Sequence, residues 1–214
     1  MQQLTSLQLL AVAVIPVLFA ITIHEVAHGW VARHFGDRTA EMLGRLTVNP
    51  LKHIDPIGTV VVPAIAFMST GFLFGWAKPV PVAMRNLRNP RRDMMLVAAA
   101  GPGVNLVMAL FWAVFIKLTM LSGIEGMTAQ FLVAMGYIGV LINVILAIFN
   151  MLPIPPLDGG RVLSGLLPPR ASTRLDAIEP YGLIIVLAFI FLGWRHFQPV
   201  IFAVRDFFFS IAGV

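Results

Sequence analysis

Apolar residues run through this chain in long stretches, and the charged positions collect in the short segments between them. A helix crossing a bilayer core needs about 20 apolar residues. Six stretches approach or exceed that length, at 7–31, 57–76, 94–120, 129–152, 181–194 and 197–214. The first is read as a retained span and not a cleaved leader: no basic region precedes it, its apolar run is too long, and polar residues lie inside it. The second contains Pro63, Gly71 and Gly75. The last contains the adjacent pair Arg205 and Asp206, which makes it a poor free-standing span and points to a helix lying partly at the interface. The pattern predicts a polytopic α-helical membrane protein of five to six membrane segments, forming one integral-membrane unit over 1–214.

Composition agrees with that reading. Of 214 residues, 58% are hydrophobic and 12% charged, about half the charge needed to solvate a globular domain of this size. The same figures exclude disorder, a coiled coil, a collagen-like chain and a disulfide-stapled scaffold. With no cysteine, thiol catalysis and thiolate metal sites are also excluded, so any metal must sit on His, Asp or Glu. A formal net charge of +5 speaks for loops held on the cytoplasmic side and not for nucleic acid as a partner. The basic residues cluster at 33–52, 78–92 and 161–174. Were 57–76 a full span, the first two clusters would lie on opposite faces, against the positive-inside rule. A re-entrant or β-containing segment over about 57–82 resolves the conflict, and broken backbone is tolerated at membrane depth where it is buried against protein.

Inside the first apolar stretch sits His24-Glu25-Val26-Ala27-His28. On a helix the four-residue spacing puts both imidazoles on one face, close enough to converge on a single tetrahedral zinc, with Glu25 beside them as a base for an attacking water. The competing reading, polar residues at a helix end, is weak here because three ionisable groups within hydrocarbon need a common reason to be there. Catalytic zinc usually takes a third protein ligand. The candidate is Asp158, where the fourth stretch runs into Pro153, Pro155 and Pro156 and then into Asp158-Gly159-Gly160. The prolines forbid a regular helix and the glycines permit close backbone approach. On this segment alone, a turn with Asp158 as a helix N-cap is an equal alternative.

The H-E-x-x-H of the first stretch, together with the segment from Asn150 through Asp158-Gly159, resembles the site-2 protease family of intramembrane zinc metalloproteases. The resemblance extends to Gly101-Pro102-Gly103-Val104-Asn105, similar to a G-P-x-x-N element of that family, and covers roughly 15–165. It implies one zinc ion per chain on His24, His28 and Asp158, with Glu25 activating water, and Asn150 and Asn105 holding substrate or supporting the site. It also implies a catalytic core at about 7–165 followed by membrane segments at about 181–214. The expected substrates are membrane proteins with a single transmembrane segment, cut in or near that segment. The expected location is a bacterial inner or plasma membrane, with the active site toward the cytoplasm. The PDZ and CBS modules common in the family have no room in this chain, which reads as a minimal form. The segment Gly75–Val82 resembles the extended strand with which members pair an unwound substrate; a proline-rich interfacial loop is an equal reading.

His53, just before the second stretch, is a further site candidate, either as a transient ligand or transition-state donor or as an ordinary loop histidine. Lys117 reads as a snorkelling residue, Arg195 with His196 as an interfacial anchor, and the Met and Phe residues as core or lipid-facing filling. The alternative function is a zinc or proton transporter built on the same His/Glu/Asp cluster.

Overall fold

The computed structural model describes residues 4–62 and 78–214, and among them the protein consists of helices and turns with no strand. Among the described residues, three helices are long and apolar enough to cross a membrane: Leu7–His34, Pro90–Leu121 and Gly126–Asn150. Most of the segment expected to re-enter, 63–77, lies outside the described residues. Its described beginning, Pro56–Val61, is a π-helical turn. Asp55 starts that turn by accepting the N–H groups of Ile57 and Gly58 at 2.9 and 2.8 Å.

Helix α1 (Ser6–His34) opens with a capping box in which Thr5 and Gln8 exchange hydrogen bonds. After a four-residue helix, α2 (Thr39–Met42), the chain reaches α3 (Pro90–Leu121). Pro90 stands at its first position, where the missing N–H costs nothing, and the Asp93 carboxylate accepts the Asn89 N–H at 2.7 Å. A short turn at 122–125 joins α3 to α4 (Gly126–Asn150) as an antiparallel pair. Then follow α5 (Asp158–Leu166), α6 (Pro169–Asp176), α7 (Gly182–Ala188) and α8 (Trp194–Ala212).

Helix α3 is the centre of the molecule, packing against α1, α4, α5 and α8. The main apolar core lies where Ala109, Trp112 and Ile116 of α3 meet Val140 and Val144 of α4 and Ile201, Phe208 and Ala212 of α8. Large residues such as Leu10, Phe19, Val107, Phe111 and Leu118 stay exposed, as expected where lipid replaces water.

The C-terminal end differs from the sequence pattern. The stretches 181–194 and 197–214 do not separate: α7, the π-helical turn Phe189–Gly193 and α8 follow one another without a loop. Pro199 remains inside α8, although an interior proline costs about 3 kcal/mol. Burial of Ile201 and Phe208 against α3 and α4 offsets that cost. This makes α8 a bundle helix, with the Arg205–Asp206 ion pair of 2.7 Å on its outer face.

The segment 78–88 is strapped onto the end of α1. Lys78 donates its N–H to the His53 carbonyl at 2.9 Å, and Arg88 donates to the Phe35 carbonyl at 3.0 Å. Between them Asp37, 1% exposed, accepts the Ala83 N–H at 2.7 Å and the Asn86 amide at 2.9 Å. Burial alone would raise the Asp37 carboxyl; the donors from Thr39, Asn86 and Ala83 hold it below the usual carboxylate range.

Candidate metal centre

His24 and His28 stand one turn apart on α1, their Nε2 atoms 3.1 Å from each other. Asp158, the first residue of α5, brings its Oδ2 to 3.2 Å from His24 Nε2 and 3.4 Å from His28 Nε2. The irregular segment between α4 and α5 makes this possible: it folds back so that a side chain on Gly159 would strike the carbonyls of Met151 and Leu152. On the opposite side α3 closes over the imidazoles at Gly101, where a Cβ would lie 2.5 Å from His28 Nε2 and 2.6 Å from His24 Nε2. Only glycine lets the two helices approach this closely.

The hydrogen bonds around the rings determine where their protons are. His28 Nδ1 lies 2.7 Å from the Val97 carbonyl, an acceptor only, so Nδ1 carries the proton. His24 Nδ1 lies 2.5 Å from Asn105 Oδ1. The Asn105 amide nitrogen donates to the Asn143 Oδ1 at 2.7 Å and to the Ala20 carbonyl at 3.3 Å, so its oxygen faces His24 as an acceptor. Both imidazoles therefore turn bare Nε2 lone pairs toward each other and toward the buried Asp158 Oδ2, which receives no hydrogen bond from the described residues. Three converging lone pairs repel unless a cation lies among them. Ligands bonded to zinc at 2.0–2.1 Å in a tetrahedron stand about 3.3 Å apart, and the separations here are 3.1, 3.2 and 3.4 Å. The donor set, two neutral imidazoles and one carboxylate, fits zinc with one position left for water or substrate.

A cleft of about 390 Å³ opens onto the cluster, lined in part by Glu25, Asn150, Arg161 and the extended segment at 79–82. Glu25 lies beside the imidazoles with Oε2 accepting the Val80 N–H at 2.6 Å.

These residues can be set against known proteins. A family model described as Peptidase family M50 matches residues 12–193. The chain belongs to peptidase family M50. Among curated proteins it is 38% identical to YwhC of Bacillus subtilis over 94% of this chain and 90% of that one. It is 31% identical to Rip2 of Mycolicibacterium smegmatis over 81% of this chain, and 27% identical to Rip2 of Mycobacterium tuberculosis over 92% of it. The matched regions amount to 64% and 72% of those two Rip2 proteins. All three carry zinc metalloprotease as a provisional name. No solved structure matches. As a member of M50 the protein is a metalloprotease of the site-2 type, embedded in a membrane, with zinc as its cofactor.

The cluster is tied to residues that the sequence did not single out. Asn143, fully buried on α4, accepts from Asn105 and donates its own amide to the Gly139 carbonyl at 2.8 Å, so an Asn143–Asn105–His24 chain links three helices. The available signal was an amide in an apolar helix seven residues before Asn150, hence near the same face. Asn150 lines the cleft and donates its amide to the Leu146 carbonyl at 3.0 Å. His53 is placed elsewhere: its ring Nε2 meets the Thr47 carbonyl at 2.8 Å, and it is not among the residues lining the cleft. Its link to the site runs through its backbone carbonyl, which holds Lys78 at the start of the extended segment. No strand forms among the described residues of that segment, 78–82.

Proposed function

We propose that this protein is an intramembrane endopeptidase that hydrolyses peptide bonds in or near the transmembrane segment of single-span membrane proteins. The observation carrying this reading is the convergence of two bare imidazole nitrogens and an orphaned carboxylate oxygen, with Glu25 next to them, inside a bundle of membrane-length helices. His24, His28 and Asp158 would hold the zinc, which when bound supplies the Lewis acidity that polarises a scissile carbonyl and acidifies water. Glu25 takes the proton as the water oxygen attacks the carbonyl carbon, and returns it to the amide nitrogen as the C–N bond breaks. The cleft beside 79–82 accepts the substrate in an extended form, because a helical carbonyl is hydrogen-bonded and covered. Asn105 holds His24 in the tautomer the zinc needs, and Asn150 borders the substrate cleft.

The basic ends of α1 and α3 and the basic residues of α5 and α6 favour the cytoplasmic side of a bacterial inner or plasma membrane for the active site. The test is reconstitution of the wild type and Glu25→Gln with zinc and a panel of single-span substrates. The wild type should cut, and Glu25→Gln should bind zinc equally and leave every substrate intact. Equal cleavage by both proteins, or none by the wild type, would refute the reading.

A further inference from the structure

Next to the cleft over the metal ligands lies a second one, of about 430 Å³, in which Ser164, Ser172, Asp176 and Glu179 supply polar groups. The two are not separate cavities in the usual sense. Val82, Met94, Pro156 and Arg161 line both, so the second begins where the first ends. One helix runs along them. On α5, Asp158 stands in the first cleft, Arg161 in the wall they share, and Ser164 and Gly165 in the second, a spacing of three to four residues that keeps all four on one helical face. The segment after residue 78 follows the same course, with Pro79 to Val82 in the first cleft and Val82 and Met84 in the second.

From Asp158 to Gly165 along α5 is about 10 Å at 1.5 Å per residue, which an extended peptide covers with about three residues at 3.3 Å each. Arg161 falls near the middle of that path. Its guanidinium has the Glu179 carboxylate at 3.6 Å, beyond hydrogen-bonding distance, with the two side chains 45% and 51% exposed. By contrast, Arg91 in the same cleft is committed to the carbonyls of Ser164 and Leu167, and Asp176 accepts from Ser164 at 2.7 Å. Arg161 is thus a charge on the wall between the clefts with a loosely held partner, positioned to exchange that partner for another carboxylate.

We propose that the second cleft is a subsite for the polar flank of the substrate, and that Arg161 selects an acidic residue about one or two positions from the scissile bond. The proposal rests on the peptidase reading above and adds to it a substrate class: single-span proteins whose flank on the side of the basic helix ends carries a carboxylate close to the cut.

The test uses the full-length protein in detergent with zinc, and one cleavable single-span substrate made in three forms, with Glu, Gln or Lys at the first and second positions of that flank. The cleavage position is read by mass spectrometry and kcat/KM is measured for each form. Wild type should prefer Glu over Lys by about tenfold, the size expected of a partly exposed charge pair counted once as attraction and once as repulsion. Arg161→Glu should reverse the order, and Arg161→Gln, the milder change, should flatten it; zinc content shows that each variant retains its metal centre. Equal rates on all three forms by an active wild type would overturn the subsite and leave the peptidase reading standing. So would an unchanged Glu-over-Lys order in Arg161→Gln. A wild type that cuts nothing would overturn the peptidase reading and the subsite with it.

Discussion

Asn105 decides which nitrogen of His24 is free. Its oxygen holds the proton on Nδ1 and so leaves Nε2 bare, while Asn143 and the Ala20 carbonyl fix the direction of its amide. Groups that orient a ligand in this way typically contribute 10–100-fold in metal affinity. Asn105→Ala should therefore weaken zinc binding by about that factor, read by competition with a chromogenic chelator, and Asn143→Ala should weaken it less because it acts only through Asn105. A second orienting contact is the Val80 N–H on Glu25. Val80 stands between Pro79 and Pro81, so it is the only residue of the three that has an N–H to give. Val80→Pro should lower kcat by up to about 10²-fold, the cost of a small misplacement of a reacting group, with zinc content unchanged; Val80→Ala, which keeps the amide, should retain most of the activity. The sequence made His24, Glu25 and His28 legible because a helical period and a hydrophobic setting suffice to read them. It hid Asn143 and Val80, whose parts depend on contacts between residues 38 and 55 positions apart.

Two elements meet at a point where no side chain fits. A Cβ on Gly101 would stand 2.5–2.6 Å from the imidazole atoms of His28 and His24, so Gly101→Ala must either part α3 from α1 or turn the rings off the metal. The expected result is a folded, helical protein with most of its zinc lost, checked by circular dichroism and metal analysis on one sample. The strap at 78–88 depends on a charge. The Asp37 carboxyl is held below its usual value in the folded protein, while in the unfolded chain it titrates at about 3.9. Its contribution is thus complete above the unfolded value and drains away as pH falls through the lower folded one. Asp37→Asn lacks it at every pH. Wild type should exceed the variant by about 1.5–3 kcal/mol, the worth of hydrogen bonds to a charged acceptor, from neutrality down to about pH 5. Thermal unfolding in detergent should show the two converging as pH drops below about 4. Element boundaries were readable for α1, α3 and α4 to within a few residues, since hydrophobicity and caps agree there. The run through α7 and α8 was not, because Arg195 and His196 interrupt the apolar pattern between 194 and 197, whereas the helix continues through them and buries Ile201 and Phe208.

Helix lengths predict where the candidate metal centre lies relative to a bilayer. From Gly101 to the end of α3 at Leu121 is about 30 Å at 1.5 Å per residue, the thickness of a hydrocarbon core. From Gly101 back to Pro90 is about 16 Å more, and from His24 to the end of α1 at His34 about 15 Å. With the 122–125 turn at one membrane surface, the metal ligands fall near the opposite edge of the core, and the last turns of α1 and the first of α3 project beyond it. Those projecting ends carry Arg33 and His34 on α1 and Arg91 and Arg92 on α3, and Arg170 and Arg174 of α6 belong to the same side. Lys117, four residues from the end of α3, is within snorkelling reach of the other surface. On the proposed function, water would enter the cleft from the basic side while the scissile segment stays at the edge of the lipid. The chain has no cysteine, so single cysteines report position without background. Arg92→Cys and Arg170→Cys should react with an impermeant maleimide only in inside-out vesicles, and Ser122→Cys only in intact cells. Labelling of all three from one side would contradict the arrangement, since α3 alone separates residue 92 from residue 122.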